Sequence, residues 1–214
     1  MTEYKYIVGE PESLIEFKGF PKIPRLSRNC TVSEKIDGVN ASILIGPDVE
    51  LYREGGYLVD IQNGFLVGSR STWITPGRKT DNKGFAAWAY DHKEELLELG
   101  PGHHFGEWWG RGIGRGYGVD ERYFSLFNTA RWSDEKGNRP AICRVVPVLY
   151  EGIFDTDIID NVLMCLGIFG SRVARGFNKP EGVVVFHHAS SSLFKKTLYD
   201  DESLKGSLGG RNGS

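Results

Sequence analysis

The sequence is short of the features that would assign it quickly. Cysteine is scarce: Cys30, Cys143 and Cys165 are an odd number, lie far apart, and have neither a Cys-x-x-Cys spacing nor a spaced histidine nearby. A disulfide framework and a structural zinc site are therefore unsupported, and a reduced, cytoplasmic setting is expected. No apolar run approaches the roughly 20 residues of a membrane-spanning helix. The opening MTEYKYIVGEPESL has no signal-peptide core, so no membrane partner is expected. Charge of one sign is missing as well: 26 basic against 28 acidic residues leave no bulk field to attract a polyanion, and any such site must be local. The histidine pairs His103-His104 and His187-His188 place neighbours on opposite faces of a strand, which argues against shared metal ligation. Neither Gly-x-Gly-x-x-Gly nor a nucleophile elbow occurs, which removes support for a dinucleotide fingerprint and for Ser/His/Asp hydrolysis.

What is present suits one domain with a real core: 214 residues, 40% of them hydrophobic. Strand-like runs occupy 30–34, 39–45, 103–108, 123–129, 145–150, 182–187 and 192–198. Helical spacing appears over 84–99, with a Gly100-Pro101 stop, and again from a capping Asp155 or Thr156 to Gly167. Strands outnumber helices without regular strand-helix alternation, which predicts an α+β fold of mainly antiparallel sheet. The domain is expected over 1–202. The Gly/Ser-rich 203–214 reads as a flexible tail.

Four segments carry chemistry. In SEKIDGVN, Lys35 follows Glu34 and precedes Asp37-Gly38. Asp-Gly between strand-like runs is a hairpin signal. The same segment also suits a nucleophilic lysine, deprotonated by neighbouring cations or desolvation, with Asp37 orienting a ligand hydroxyl and Gly38 permitting close approach. In HHFGEWWGRGIGRGYG, glycine recurs at every second position from Gly110 to Gly118. With Arg111 and Arg115 between them, these glycines suit either a phosphate-approaching loop or a plain surface loop. Glu107, among Phe105, Trp108 and Trp109, needs a metal, hydroxyl or cation partner if buried. Further on, Glu181 precedes an apolar strand and Lys195-Lys196 occupy the next one. Two carboxylates and two lysines are the parts needed to hold Mg²⁺ and a triphosphate while a phosphorus centre is attacked.

The order of these segments resembles the covalent nucleotidyltransferase superfamily of ATP-dependent ligases and capping enzymes, and within it the phage-type RNA ligases that seal nicks. Lys35-Ile36-Asp37-Gly38 matches Lys-x-Asp-Gly. Glu34 and Asn40 match its RNA-ligase extension, Glu-Lys-x-x-Gly-x-Asn. Ser69-Arg70, Glu107, Phe127 in YFSLFNTARW, Glu181-Gly182-Val183-Val184 and Lys195 follow in the family's order. Two positions depart from the pattern: many nick-sealing RNA ligases have His where Asp37 stands, and the final motif commonly separates its two lysines by one residue, whereas Lys195 and Lys196 are adjacent.

The resemblance implies a nucleotidyltransferase (ATP-grasp-like) core of antiparallel sheets flanking a nucleotide-binding cleft. It also implies ATP as AMP donor, Mg²⁺ or Mn²⁺, a lysyl-AMP intermediate on Lys35, and RNA ends or a nicked duplex, with DNA as a further possibility. Catalysis is expected from Lys35, Lys195 and Arg70. The nucleotide is expected to contact Glu34 by backbone or side chain, Asp37, Asn40, Glu107, Phe127, Lys195 and Lys196, and the metal Glu107 and Glu181. The nucleic acid is expected over Arg78, Lys79, Lys83, Arg111 and Arg115. Too few residues follow Lys196 for the C-terminal oligonucleotide-binding barrel of DNA ligases and capping enzymes. An RNA ligase is therefore expected first, then a minimal DNA ligase, a GTP-using capping enzyme, and a binding module without turnover. A monomer is the default.

Overall fold

Apolar residues at alternate positions, as at Val39, Ala41, Ile43 and Ile45 in VNASILI, suit strands with one buried face. In a computed structural model, which describes residues 6–7, 14–15, 18–46, 64–81, 83–133 and 139–198, such runs build two sheets. The strands are β1 (Tyr6–Ile7), β2 (Leu14–Ile15), β3 (Asn29–Lys35), β4 (Val39–Ile45), β5 (Phe65–Gly68), β6 (Gly102–Gly110), β7 (Arg122–Leu126), β8 (Cys143–Val145), β9 (Val148–Ile153), β10 (Gly182–His187) and β11 (Ser192–Thr197). One sheet runs β11-β10-β3-β9 and the other β5-β4-β6-β7-β8, while β1 and β2 pair separately. Pairing is antiparallel except between β7 and β8. The α+β expectation holds. The expected tail, 203–214, lies outside the described residues.

Each sheet is backed by helix on one face. Ala41, Ile43 and Ile45 of β4 and Trp108 of β6 pack with Phe85, Ala89 and Leu96 from the helical segment α1 (Phe85–Asp91) and α2 (Lys93–Leu97). Cys30 and Val32 of β3, with Val183 and Val185 of β10, pack on Ile159, Leu163 and Leu166 of α3 (Thr156–Phe169). A third cluster, Ile36, Trp109, Tyr117, Val146 and Ala174, lies under the β3–β4 connection.

Four expectations change. The helix over 84–99 is broken at His92, whose backbone leaves helical geometry (φ −111°, ψ 28°) and whose Nδ1 sits 2.8 Å from the Trp88 carbonyl. The backbone bonds from His92 to Trp88 and from Leu96 to His92 persist, so the break is a local change of dihedral angles and not a gap in the ladder. Gly167 stays helical, and the helix ends two residues beyond it, before Gly170 at φ 77°. The single run 145–150 becomes two strands in different sheets, β8 and β9, parted by Val146-Pro147, because proline has no N–H for a ladder. Finally, β3 and β4 are not a hairpin: they belong to separate sheets, and neither Asp37 nor Gly38 has positive φ.

Asp155 caps α3, its Oδ1 accepting the N–H of Asp157 (2.8 Å) and of Ile158 (3.3 Å). Asp155→Ala is expected to cost about 0.5–2 kcal/mol of stability. The loss is read as a lower urea midpoint at unchanged slope, and Asp155→Asn is expected to keep most of the stability.

Candidate active site

The cleft lies between the two sheets, and strand alternation decides which side chains enter it. On β3, Thr31, Ser33 and Lys35 line the cavity, while Cys30 and Val32 face α3. On β4 and β6, Asn40, Phe105 and Glu107 face it. Across strands, Asn40 stands opposite Glu107, and Ser33, Val184 and Lys195 fall in one row. The cavity measures about 1470 Å³.

Lys35 ends β3 with its Nζ 2.7 Å from Glu181 Oε2, and the Glu181 side chain is nearly enclosed. Glu107 is buried on the other side of the connection and accepts the Gly38 N–H at 3.0 Å. Burial pushes its carboxyl up to about 7, the charges of Glu181 and Asp37 push the same way, and Lys35 and the Gly38 N–H oppose them. A β-carbon on Gly38 would lie 2.5 Å from the Trp108 carbonyl oxygen, so the connection touches β6 there only because residue 38 has no side chain. Arg70 joins from beyond β5, its Nε and Nη2 donating to Asn40 Oδ1 at 2.9 and 2.5 Å. Phe127, 40% exposed, follows β7 and lines the cavity.

Lys35, Asn40, Arg70, Glu107, Phe127 and Lys195 are therefore brought to one cavity, with Glu181 attached through Lys35. Two expectations, Lys196 and Asp37, are corrected, and a third, Glu34, is narrowed. Lys196 falls in the row of Glu34 and Val183, on the opposite face from Lys195, and its Nζ pairs with Asp160 of α3. Adjacent residues on a strand cannot share a face, so Lys196 does not reach the cleft. The Glu34 carboxylate, 1% exposed, accepts the Ser171 hydroxyl at 2.6 Å and the N–H groups of Arg172 and Val173 at 2.7 and 3.0 Å. Desolvation raises its pKa and those three donors with the Arg172 charge lower it. What Glu34 can offer a nucleotide is backbone. Asp37 does not line the cavity either; Oδ2 faces Arg115 Nε at 3.3 Å, and its N–H donates to the Tyr117 hydroxyl at 2.7 Å. Of the expected basic surface, Lys79 and Lys83 line the cavity, whereas Arg111 borders a separate depression.

Two supporting residues escaped the sequence. Ser171 is 137 positions from Glu34 and carries no local signal. Tyr117 had one: it is the bulky aromatic in the Gly-rich loop, and its ring is buried against Trp109 and Phe177. That loop clasps the Lys35–Gly38 connection through Arg115 and Tyr117. Glu107 and Glu181 are the two carboxylates nearest the Lys35–Gly38 connection by hydrogen bond, through the Gly38 N–H and Lys35 Nζ. Among the described residues no group of three or more His, Cys, Asp and Glu could hold a metal ion.

The Glu107 pKa sets a pH test. A carboxyl at about 7 in the folded chain against 4.5 as its ordinary value holds its proton more tightly when folded. Its stabilising contribution is full below about pH 4.5 and lost as pH rises through 7. Unfolding free energies of the wild type relative to Glu107→Gln are expected to fall by roughly 2–3 kcal/mol between pH 5 and pH 8. A constant difference in urea titrations at both pH values would contradict the assignment.

The family described as RNA ligase matches residues 28–197 of the chain. No curated protein sequence matches it. Among solved structures, a glutamate-to-alanine variant of a Naegleria gruberi RNA ligase with ATP and Mn is similar at 17% identity and TM-score 0.56, covering 85% of this chain and 52% of that one. Another glutamate-to-alanine variant of that enzyme, with AMP and Mn, gives 17% identity and TM-score 0.52 over 80% and 50%. The chain thus spans about half the length of these structures, and at that identity they establish the shared fold. Because the family match runs through both sheets and every cleft residue from Lys35 to Lys195, the chain belongs to the RNA ligase family.

Proposed function

We propose that the chain is an ATP-dependent RNA ligase domain that joins 3′-hydroxyl and 5′-phosphate ends through AMP carried on Lys35. One observation supports this reading above the others: Lys35 Nζ ends a strand inside the cleft, held at 2.7 Å by Glu181, with Asn40, Arg70, Glu107, Phe127 and Lys195 around the same cavity. The relatives solved with ATP, AMP and Mn support ATP as the donor.

In the first step the Lys35 amine attacks the α-phosphorus of ATP. The N–P bond forms, the bond to pyrophosphate breaks, and Nζ gives up a proton, for which Glu181 Oε2 is the hydrogen-bonded acceptor. Splitting the reaction through a covalent carrier turns one difficult displacement into easier ones. AMP then passes to the 5′-phosphate, and the 3′-hydroxyl displaces it. Each step concentrates negative charge on phosphate oxygens, which Lys195 and Arg70 neutralise from fixed positions. Arg70 is already oriented by Asn40, so little reorganisation is needed when phosphate arrives. Phe127 offers a face to the purine, and the Glu34 backbone a polar edge beside it.

Mg²⁺ or Mn²⁺ fits the donor set in one mode. Small hard cations in nucleotide enzymes are commonly held by one or two carboxylates plus substrate phosphates, and Glu107 and Glu181 supply two carboxylates. The bound ion would draw charge from the triphosphate and the leaving pyrophosphate. The elevated Glu107 pKa suits such a role, because an arriving cation replaces the proton that burial retains.

The test is incubation with α-labelled ATP or GTP and a divalent cation. Acid-labile, hydroxylamine-sensitive label from ATP on the wild type, absent in Lys35→Ala, is the expected result. Label from GTP alone points to capping, and none to a binding module. Nicked duplexes with RNA or DNA on the 3′-hydroxyl side separate the polynucleotide classes, and equal sealing of DNA overturns the RNA assignment. The two adjacent lysines provide a sharper check. Lys195→Ala is expected to reduce labelling at least about 100-fold, in the range of a lost transition-state charge contact. Lys196→Ala is expected to label within about twofold of wild type, since an exposed ion pair contributes little.

A further inference from the structure

The cleft is larger than one nucleotide requires. Single small-molecule sites occupy about 300–1,000 Å³, against about 1470 Å³ here. Beyond Glu107 along β6, its floor changes from carboxylate to aromatic. Phe105 is 53% exposed, and the His103 ring lies 4.0 Å from it, centroid to centroid. Trp73 abuts His103 at 5.6 Å. Trp73 lies across Gly68 of β5, where a β-carbon would be 2.7 Å from Ser42 Oγ of β4 and 3.2 Å from the indole, so the glycine gives the ring room to reach His103 of β6. Burial, with the charge of His104 second, lowers the His103 pKa. The platform is therefore uncharged at neutral pH, an aromatic surface rather than a cationic one.

Across the cavity stand Phe186 and Leu193, paired on β10 and β11, both exposed. Apolar side chains exposed on two facing walls of one cleft are the kind of patch that receives a ligand. Cations around the same cavity, Arg70, Lys79, Lys83 and Lys195, supply what a phosphodiester backbone needs. Flat rings exposed between positive charges are the pattern by which single strands are held, bases on rings and phosphates on cations.

We propose that Phe105, backed by His103 and Trp73, is a stacking site for an unpaired nucleobase of the RNA strand, next to the purine position at Phe127, its cross-strand neighbour on the same sheet face. The proposal rests on the ligase reading for its ligand class, and it adds a place where the substrate strand is gripped before sealing. It predicts that the domain favours RNA ends carrying an unstacked base over fully stacked duplex ends.

The experiment uses the full chain and a single-stranded RNA oligonucleotide with 2-aminopurine beside its 3′-hydroxyl. Stacking quenches the probe, and titration gives the affinity. Phe105→Leu, which keeps apolar volume but removes the ring, is expected to weaken binding about 5- to 100-fold, the effect of losing one stacked base. Phe105→Tyr is expected to restore both affinity and quenching. At saturating ATP both variants are expected to take label on Lys35, which also reports that they fold. Unchanged affinity in Phe105→Leu, no quenching by the wild type, or displacement of the probe by α,β-methylene-ATP would each overturn the site, the last by showing that the base had entered the ATP position. If the wild type quenches the probe through Phe105 but takes no label from ATP, the ligase reading fails and the stacking site stands.

Discussion

Between β3 and β4 the chain has only Ile36, Asp37 and Gly38 in which to leave one sheet and enter the other. A β-carbon at residue 38 would meet Trp108 backbone at 2.5 Å and the Glu107 and Trp109 side chains at 2.9 Å. That steric limit brings the connection down onto β6, lets the Gly38 N–H reach Glu107, and starts β4 so that Asn40 falls opposite the same carboxylate. Beneath the connection, Ile36 anchors in the cluster with Trp109 and Tyr117, while Arg115 and Tyr117 hold Asp37 from the side. The lysine, the two glutamates and the arginine clamp all take their positions from this corner.

The charges at the corner stand in tension. Glu181 has a cation at 2.7 Å, whereas Glu107 has one backbone donor and a burial cost that a distant lysine offsets only in part. Burial lifts the Glu107 carboxyl to about 7, so near neutral pH it is divided between the protonated and ionised forms. A site meant to receive phosphates and a hard cation gains from such an arrangement, since one carboxylate stays paired with the nucleophile and the other is available without first breaking an ion pair.

Much of this was legible in the sequence, and the limits follow from what a strand pattern records. Period-two alternation located β3, β4, β6, β10 and β11 to within a few residues, and the ordered motifs located Lys35, Glu107, Glu181 and Lys195. Alternation does not say which sheet a strand joins, so Asp37-Gly38 looked like a hairpin and 145–150 like one strand. It did contain the answer for Lys196, because neighbours on a strand face opposite ways; family likeness pulled against that simple rule. The same rule narrows Glu34 to its backbone, since the side chain next to Lys35 on β3 must point away from the cleft. Short β5 offered only four residues in a glycine-bounded run, too few for periodicity to register. Ser171 was invisible, being linked to Glu34 only through the folded chain.

The grip of the 171–174 turn on Glu34 has a wider meaning. Ser171 also accepts the Ala174 N–H, so one hydroxyl fastens both the turn to itself and the turn to β3. Since Glu34 adjoins Lys35 in the chain, that fastening also fixes the strand end from which the Lys35 amine enters the cleft. In a mutational survey, changes at Ser171 would register as lost turnover and be mistaken for contacts with substrate. Residues that aim a nucleophile and residues that touch its target can leave the same trace.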